Sequence, residues 1–340
     1  MGQFRVVRWG IIGCGDVTEI KSGPAFQKAA GSELVMVMRR DGAKAADYAQ
    51  RHGVARWTDD AAVLIHAKEV DAVYIATPPG AHEEYALRVA AAGKPCYVEK
   101  PMSRTAAEGR RMVQAFAEAD VPLFVAYYRR ALPRFIKVQE ILEEGRLGAV
   151  KAISYRYTDG QMREAPAGPV SWRLEAEHAG GGLFLDLGSH ALDLLDYWFG
   201  PLTKVRGLAK RVRGKYAVED YVEMDFEIAG IQGKGLWDFT AQTNEDAFEI
   251  IGERGTLAVP CFANGPVEVL WDTGRREEFV IEHPAHVHQP LVEQVVDELR
   301  GRGRCVSTGE SGLRTQEVMD QALAHFYGGR EDGFWRRLRA

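Results

Sequence analysis

The sequence is poor in cysteine. Four occur in 340 residues, Cys14, Cys96, Cys261 and Cys305, and no two have a Cys-x-x-Cys spacing. The four read as free thiols of a reducing compartment rather than a disulfide framework. Long apolar runs are also missing. No stretch approaches the roughly 18 apolar residues of a membrane span. The opening residues, MGQFRVVRWGIIG, hold no apolar core of signal-peptide length. A cytoplasmic protein without a membrane partner is therefore expected. Positive charge is not in excess: Lys and Arg number 43 against 48 Asp and Glu, a formal net charge of −5. A nucleic-acid partner is therefore not expected. There is no internal repeat and no low-complexity segment. What remains is an ordinary soluble composition, 46% hydrophobic and 27% charged, long enough for about two domains.

The first third alternates short apolar runs with helical periodicity. Val6–Ile12, Leu34–Met38, Asp71–Ala76, Pro95–Glu99 and Leu123–Ala126 read as buried strands. The segments between them, such as 41–52 and 105–119, read as helices. This order predicts a parallel sheet covered on both faces, with ligands outside the carboxyl ends of its strands.

The first strand runs into Gly13-Cys14-Gly15-Asp16-Val17-Thr18, and a helix opens there. In that context the glycines read as a dinucleotide loop. Gly13 allows the tight turn, and Gly15 lets backbone N–H groups approach a pyrophosphate. Thr18 stands where a Gly or Ala is usual. The second strand ends in Arg39-Arg40, with no acid at its tip. Two guanidiniums suit a 2′-phosphate, so NADP(H) is expected in preference to NAD(H). The competing reading has Asp41 holding the ribose. Thr77-Pro78, His82 and Glu99-Lys100-Pro101 follow later strands and fall at the same edge, where they are expected to meet the cofactor. Lys100 is either a ligand for a substrate or ribose hydroxyl, or an ordinary surface lysine.

Beyond residue 126 the pattern changes. Val150–Tyr157 alternates, and so does Val222–Ile228, where Glu223, Asp225 and Glu227 form a wet or interfacial face. Five more strands are expected between residues 205 and 281, with two closing helices at about 289–300 and 310–326. The domains expected are a Rossmann domain over 1–126 and a substrate-binding, oligomerising α+β domain over 127–340. The second is built on a mainly antiparallel open sheet with helices on one face. Residues 158–178 form a long irregular segment carrying Trp172-Arg173, and loops of that length are more often functional than idle. Trp335–Ala340 reads as a mobile basic tail.

Gly180–Gly200, GGGLFLDLGSHALDLLDYWFG, has three glycines followed by helical spacing. Leu187, Ala191, Leu194, Leu195 and Trp198 fall on one side. Asp186, His190 and Asp193 form a second stripe. A carboxylate one turn from a histidine can aim a proton-transfer group, form half of a metal site, or be a plain polar edge. His283, His286 and His288 cluster downstream with no cysteine or carboxylate of matching spacing, and no metal is expected.

GCGDVT at 13–18, TPPGAH at 77–82, EKP at 99–101 and GGGLFLDLGSH at 180–190, in that order, resemble the glucose-fructose oxidoreductase/inositol dehydrogenase/MocA-like family over nearly the whole chain. The resemblance implies that Lys100 is an active-site lysine and His190 the acid/base, with Asp186 orienting it or binding substrate. It implies substrate contacts at Tyr128, a cis bond before Pro101, and a homodimer or homotetramer through the open sheet. The implied reaction is hydride transfer between NADP(H) and a secondary alcohol or ketone of a sugar, polyol or cyclitol. Imidazole suits proton transfer in both directions near neutral pH, and a lysine cation would stabilise alkoxide charge. Two rival readings are an NAD-dependent, redox-assisted glycoside-cleaving enzyme and a non-catalytic NADP-sensing protein.

Overall fold

The computed structural model of the chain describes residues 4–160 and 170–339. The chain divides into two compact units. One contains residues 1–103, 107–132 and 284–313, and the other 104–106, 133–283 and 314–340. The expected single boundary after residue 126 cuts the chain once, whereas the units exchange chain several times.

The first unit holds strands β1 (Val7–Ile12), β2 (Ser32–Met38), β3 (Arg56–Thr58), β4 (Ala72–Ile75), β5 (Cys96–Val98) and β6 (Leu123–Val125). They pair in parallel in the order β3-β2-β1-β4-β5-β6. The order reverses between β1 and β4, and the crevice at such a switch point is where dinucleotides bind. β3 is absent from the sequence expectation because it is three residues long and mostly exposed. Strands buried on both faces explain the near-continuous apolar runs of β1 and β4. On one side Trp9, Phe26, Tyr74 and Tyr97 stack in sequence at centroid spacings of 4.9, 5.0 and 5.2 Å. Residues 284–313 complete this unit. Thr308 bridges Phe124 of β6, and the Ser307 hydroxyl donates to the Val125 carbonyl at 2.7 Å.

The second unit is built on an eight-stranded sheet. Its strands are β7 (Val150–Thr158), β8 (Leu202–Lys210), β9 (Tyr221–Ile228), β10 (Ile231–Asp238), β11 (Glu245–Gly252), β12 (Gly255–Val259), β13 (Val267–Trp271) and β14 (Arg276–Phe279). They are ordered β14-β13-β12-β11-β7-β10-β9-β8, antiparallel throughout except between β7 and β10. One face buries Tyr155, Trp237, Phe248 and Phe226. Phe184 and Trp198 pack on it, at 4.8 Å from Trp237 and 5.2 Å from Phe248. Helix Gly309–Tyr327 comes so close to β8 that a Cβ on Gly207 would lie 2.1 Å from the Ala322 carbonyl oxygen. The other face carries the exposed Leu208, Ile251 and Leu270 among charged residues.

Two expectations change here. The segment read as a mobile tail is helical over Phe334–Arg339. Phe334 is buried 4.8 Å from Tyr327, and Arg104 lies 4.0 Å above the Trp335 ring. Gly180–Gly200 is not one regular helix. A π-helical turn, Phe184–Gly188, leads into the α-helix Ser189–Phe199. The extra residue shifts the phase, which leaves Leu187 only half-buried. No described helix is long and apolar enough to cross a membrane.

Candidate functional site

In the first unit the loop after β1 is built as its glycines demand. Gly13 has φ of +91°, and a Cβ there would strike Thr77 Cγ2 at 2.8 Å. Its N–H and that of Cys14 donate to the Met38 carbonyl at 2.8 and 3.2 Å, fixing the loop to the end of β2. Gly15 faces open space, since a Cβ there would meet only Gly13 O at 3.7 Å. No side chain caps the helix Asp16–Ile20 that follows. The Thr77 hydroxyl is buried at this edge with no protein partner. An open cradle, an uncapped helix start and an orphaned hydroxyl fit a bound pyrophosphate-containing dinucleotide. Asp16 is exposed and Val17 half-buried beside the cradle. The Cys14 thiol points into the core, where burial pushes it up to about 11, so Cys14 has only its backbone to offer. Thr18 fills the third small position because its hydroxyl turns inward and donates to Gly15 O at 2.7 Å.

Arg39 is half-buried and donates to the Cys14 carbonyl at 3.2 Å, which ties a guanidinium to the glycine loop. Arg40 is exposed. Asp41 caps the helix Gly42–His52, accepting from the Lys44 N–H at 3.1 Å, and that bond holds its carboxyl below the usual range. Asp41 is thus engaged at a helix end.

His82 is fully buried. Its Nε2 lies 2.7 Å from the Thr77 carbonyl and its Nδ1 3.2 Å from that of Pro101. It ties the Thr77-Pro78 loop to the Lys100-Pro101 loop from beneath, so its imidazole is engaged with backbone. Pro78 is exposed beside it. The Lys100-Pro101 bond is cis, as the resemblance implies.

Glu99 is buried and accepts from the Tyr74 hydroxyl at 2.5 Å and from the Lys100 N–H at 3.2 Å. His288 is buried beside it, 3.8 Å from Glu99 Oε1 and 3.4 Å from the Tyr97 hydroxyl, with its ring 4.4 Å from that of Tyr128. Burial first, then the nearby Lys100, Lys21 and Arg129 charges, lower its pKa to about 3, so it is neutral at physiological pH. Tyr128 accepts from Arg129 Nη1 at 3.1 Å and is almost wholly buried. His288 therefore stands apart from the expected histidine cluster. His286 bonds the Ile20 carbonyl and Lys28 instead. No group of three metal-ligating side chains occurs among the described residues.

In the second unit the three glycines are packing positions. Gly180 has φ of +87° against the Arg104 backbone, and a Cβ on Gly182 would sit 2.2 Å from the Glu219 carbonyl oxygen. Glu219, fully buried, accepts from the Gly182 N–H at 2.9 Å and from Tyr327, and burial raises its pKa. Arg330 donates to the Gly180 carbonyl at 2.8 Å. This anchor sets where the π-helical turn begins. Asp186 lies in that turn, half-exposed, and accepts from Arg173 Nε at 3.2 Å. Arg173 also lies 4.4 Å over the Trp172 ring, so Trp172, Arg173 and Asp186 form one patch. Residues 161–169 of the expected loop, with Pro166 and Pro169, lie outside the described residues. His190 is buried in the first turn of the α-helix, its ring 5.7 Å from that of Phe262. Asp193 is buried and accepts from the Thr315 hydroxyl at 3.4 Å.

Sequence reasoning missed His288 and Phe262. Only a histidine-rich loop signalled the first, and nothing local signals the second.

Residues 7–127 match the oxidoreductase family with an NAD-binding Rossmann fold, and residues 135–258 match the GFO/IDH/MocA C-terminal domain. Oxidoreductase P35 of Formosa agariphila is 36% identical over 318 residues, covering 92% of this chain and 97% of that protein. The 1,5-anhydro-D-fructose reductase of Ensifer adhaerens is 28% identical over 314 residues, 90% and 92% of the two chains. A levoglucosan dehydrogenase solved with NADH and levoglucosan has the same fold, with a TM-score of 0.81 at 23% identity over 93% and 97%. With its glycine loop, its switch-point sheet and its mainly antiparallel second sheet, the chain belongs to the GFO/IDH/MocA family of NAD(P)-binding oxidoreductases.

Proposed function

We propose that the chain moves hydride between NADP(H), in preference to NAD(H), and a carbon bearing a secondary alcohol or ketone in a sugar, polyol or cyclitol. The observation that carries this reading is His190, a buried imidazole in the first turn of the α-helix that follows the π-helical turn carrying Asp186. The names of the relatives, a reductase of an anhydro sugar and a dehydrogenase of another, support the substrate class.

The dinucleotide is held by the backbone of Gly13, Cys14, Gly15, Asp16 and Val17, by Thr77 and Pro78, and by Arg39 and Arg40 at the 2′-phosphate. Asp41 is engaged as a helix cap, and this supports the NADP(H) preference. When bound, the nicotinamide accepts or supplies the hydride. His190 takes the hydroxyl proton during oxidation and returns one to the alkoxide during reduction. Lys100 stabilises alkoxide charge, and its backbone N–H on buried Glu99 holds the residue in place. Asp186, Arg173, Trp172 and Tyr128 bind substrate. The outer face of the eight-stranded sheet, with Leu208, Ile251 and Leu270 exposed, joins copies into a dimer or tetramer.

The test is a screen of sugars, polyols and inositols with NAD⁺ and NADP⁺, following reduced cofactor. Turnover with a higher kcat/KM for NADP⁺ is expected, and His190→Ala should lower kcat about 10²–10⁴-fold. Product formed without net cofactor reduction, or unchanged kcat in His190→Ala, would refute the reading.

A further inference from the structure

The turn after β12, residues 260–266, is held by charge from two directions, the half-buried Asp246 and the buried Arg134. Asp246 accepts from the N–H groups of Cys261, Phe262 and Ala263 at 2.9, 2.6 and 2.7 Å, and from the Tyr155 hydroxyl at 2.9 Å. Arg134, 1% exposed, donates to the carbonyls of Ala263 and Gly265 at 3.0 and 2.9 Å. Its other terminal nitrogen donates to His283 Nε2 at 2.8 Å, which fixes that ring. Burying a guanidinium costs several kcal/mol unless its hydrogen bonds are met. Here loop backbone meets those of one terminal nitrogen and His283 that of the other, which ties a surface connection to a buried side chain.

The side chain this loop presents is Phe262. Its ring lies 5.7 Å from that of His190 at 77° and 5.4 Å from that of Tyr157 at 72°. Phe262 is half-buried while His190 is buried, so Phe262 is the more accessible residue of the pair. A phenyl ring offers no hydrogen bond. It packs against C–H groups and so favours the apolar face of a saturated ring.

We propose that Phe262 determines substrate specificity at His190, acting as a wall for the C–H face of a pyranose or cyclitol ring. Asp246 and Arg134 are positioning residues that act through it. The inference rests on His190 being the proton-transfer group.

The experiment compares the wild type with Phe262→Ala, Phe262→Tyr, Asp246→Asn and His190→Ala, using myo-inositol, D-glucose and ringless glycerol with NADP⁺. Phe262→Ala should lower kcat/KM for the ring substrates about tenfold relative to glycerol, mainly through KM. Phe262→Tyr should keep the ratio, and Asp246→Asn should shift it in the same direction as Phe262→Ala. An arm independent of turnover follows the His190 ring protons by NMR, which should move in both Phe262→Ala and Asp246→Asn. If His190→Ala abolishes turnover but Phe262→Ala leaves the ring-to-glycerol ratio within twofold, the specificity role is refuted and the function stands. Unmoved His190 resonances refute the contact itself. Full turnover in His190→Ala refutes both.

Discussion

His288 makes a measurable demand on the pH dependence of stability. It titrates near 6.5 in an unfolded chain, and in the fold burial and neighbouring cations lower it to about 3. Between those values the unfolded chain binds a proton that the folded chain refuses. Stability therefore rises with pH across this window and falls as the solution is acidified below about 6.5. For one such group, linkage gives about 0.1 kcal/mol at pH 7.5 and about 2 kcal/mol at pH 5. The perturbation is His288→Gln, which keeps a polar partner for Tyr97 and Glu99 but does not titrate. The assay is urea unfolding of both proteins at the two pH values, read as a double difference so that every other titrating group cancels. The wild type should lose about 2 kcal/mol more than the variant on acidification. A double difference below about 0.5 kcal/mol would show that His288 is protonated in the fold, or exposed, and would refute the argument from burial.

Three other outcomes follow from the geometry. Gly182→Ala places a Cβ 2.2 Å from a buried carbonyl oxygen, so it should cost about 1–3 kcal/mol, read as a lowered Tm. Gly13→Ala combines φ of +91° with a 2.8 Å clash at Thr77, so it should lose about 1–2 kcal/mol of stability and weaken dinucleotide binding by calorimetry. Removing both Arg39 and Arg40 as alanines should weaken NADP⁺ binding about 10–100-fold and NAD⁺ binding little. Equal loss for both cofactors would locate the 2′-phosphate elsewhere.

The parallel sheet was legible because strands buried on both faces are near-continuously apolar, as β4 is and as β1 is apart from Arg8. β3 was not, because an exposed edge strand of three residues leaves no apolar run. β12 was hidden by Gly255, which reads as a turn residue yet opens a strand. The glycine loop was legible because Gly13 needs a conformation that few residues adopt. The packing role of the lead-in Gly180–Gly182 was not legible, since what crowds it, Glu219 and Arg104, lies far away in sequence. The same limit hid Phe262. Its place beside His190 depends on Asp246 and Arg134, which no spacing links to it. The depth of His82 beneath the two loops is a matter of burial, and one sequence does not carry that.

The nucleotide-binding unit draws its last piece from residues 284–313, which a ribosome makes only after the whole eight-stranded sheet. Until then β6 lacks Thr308 and Ser307 at its edge, and Glu99 and Tyr128 lack His288. A nascent chain stopped before residue 284 has all six strands that carry the glycine loop, but not these partners of β6, Glu99 and Tyr128. Completion of the unit therefore waits for a segment that follows the whole of the second sheet in the chain.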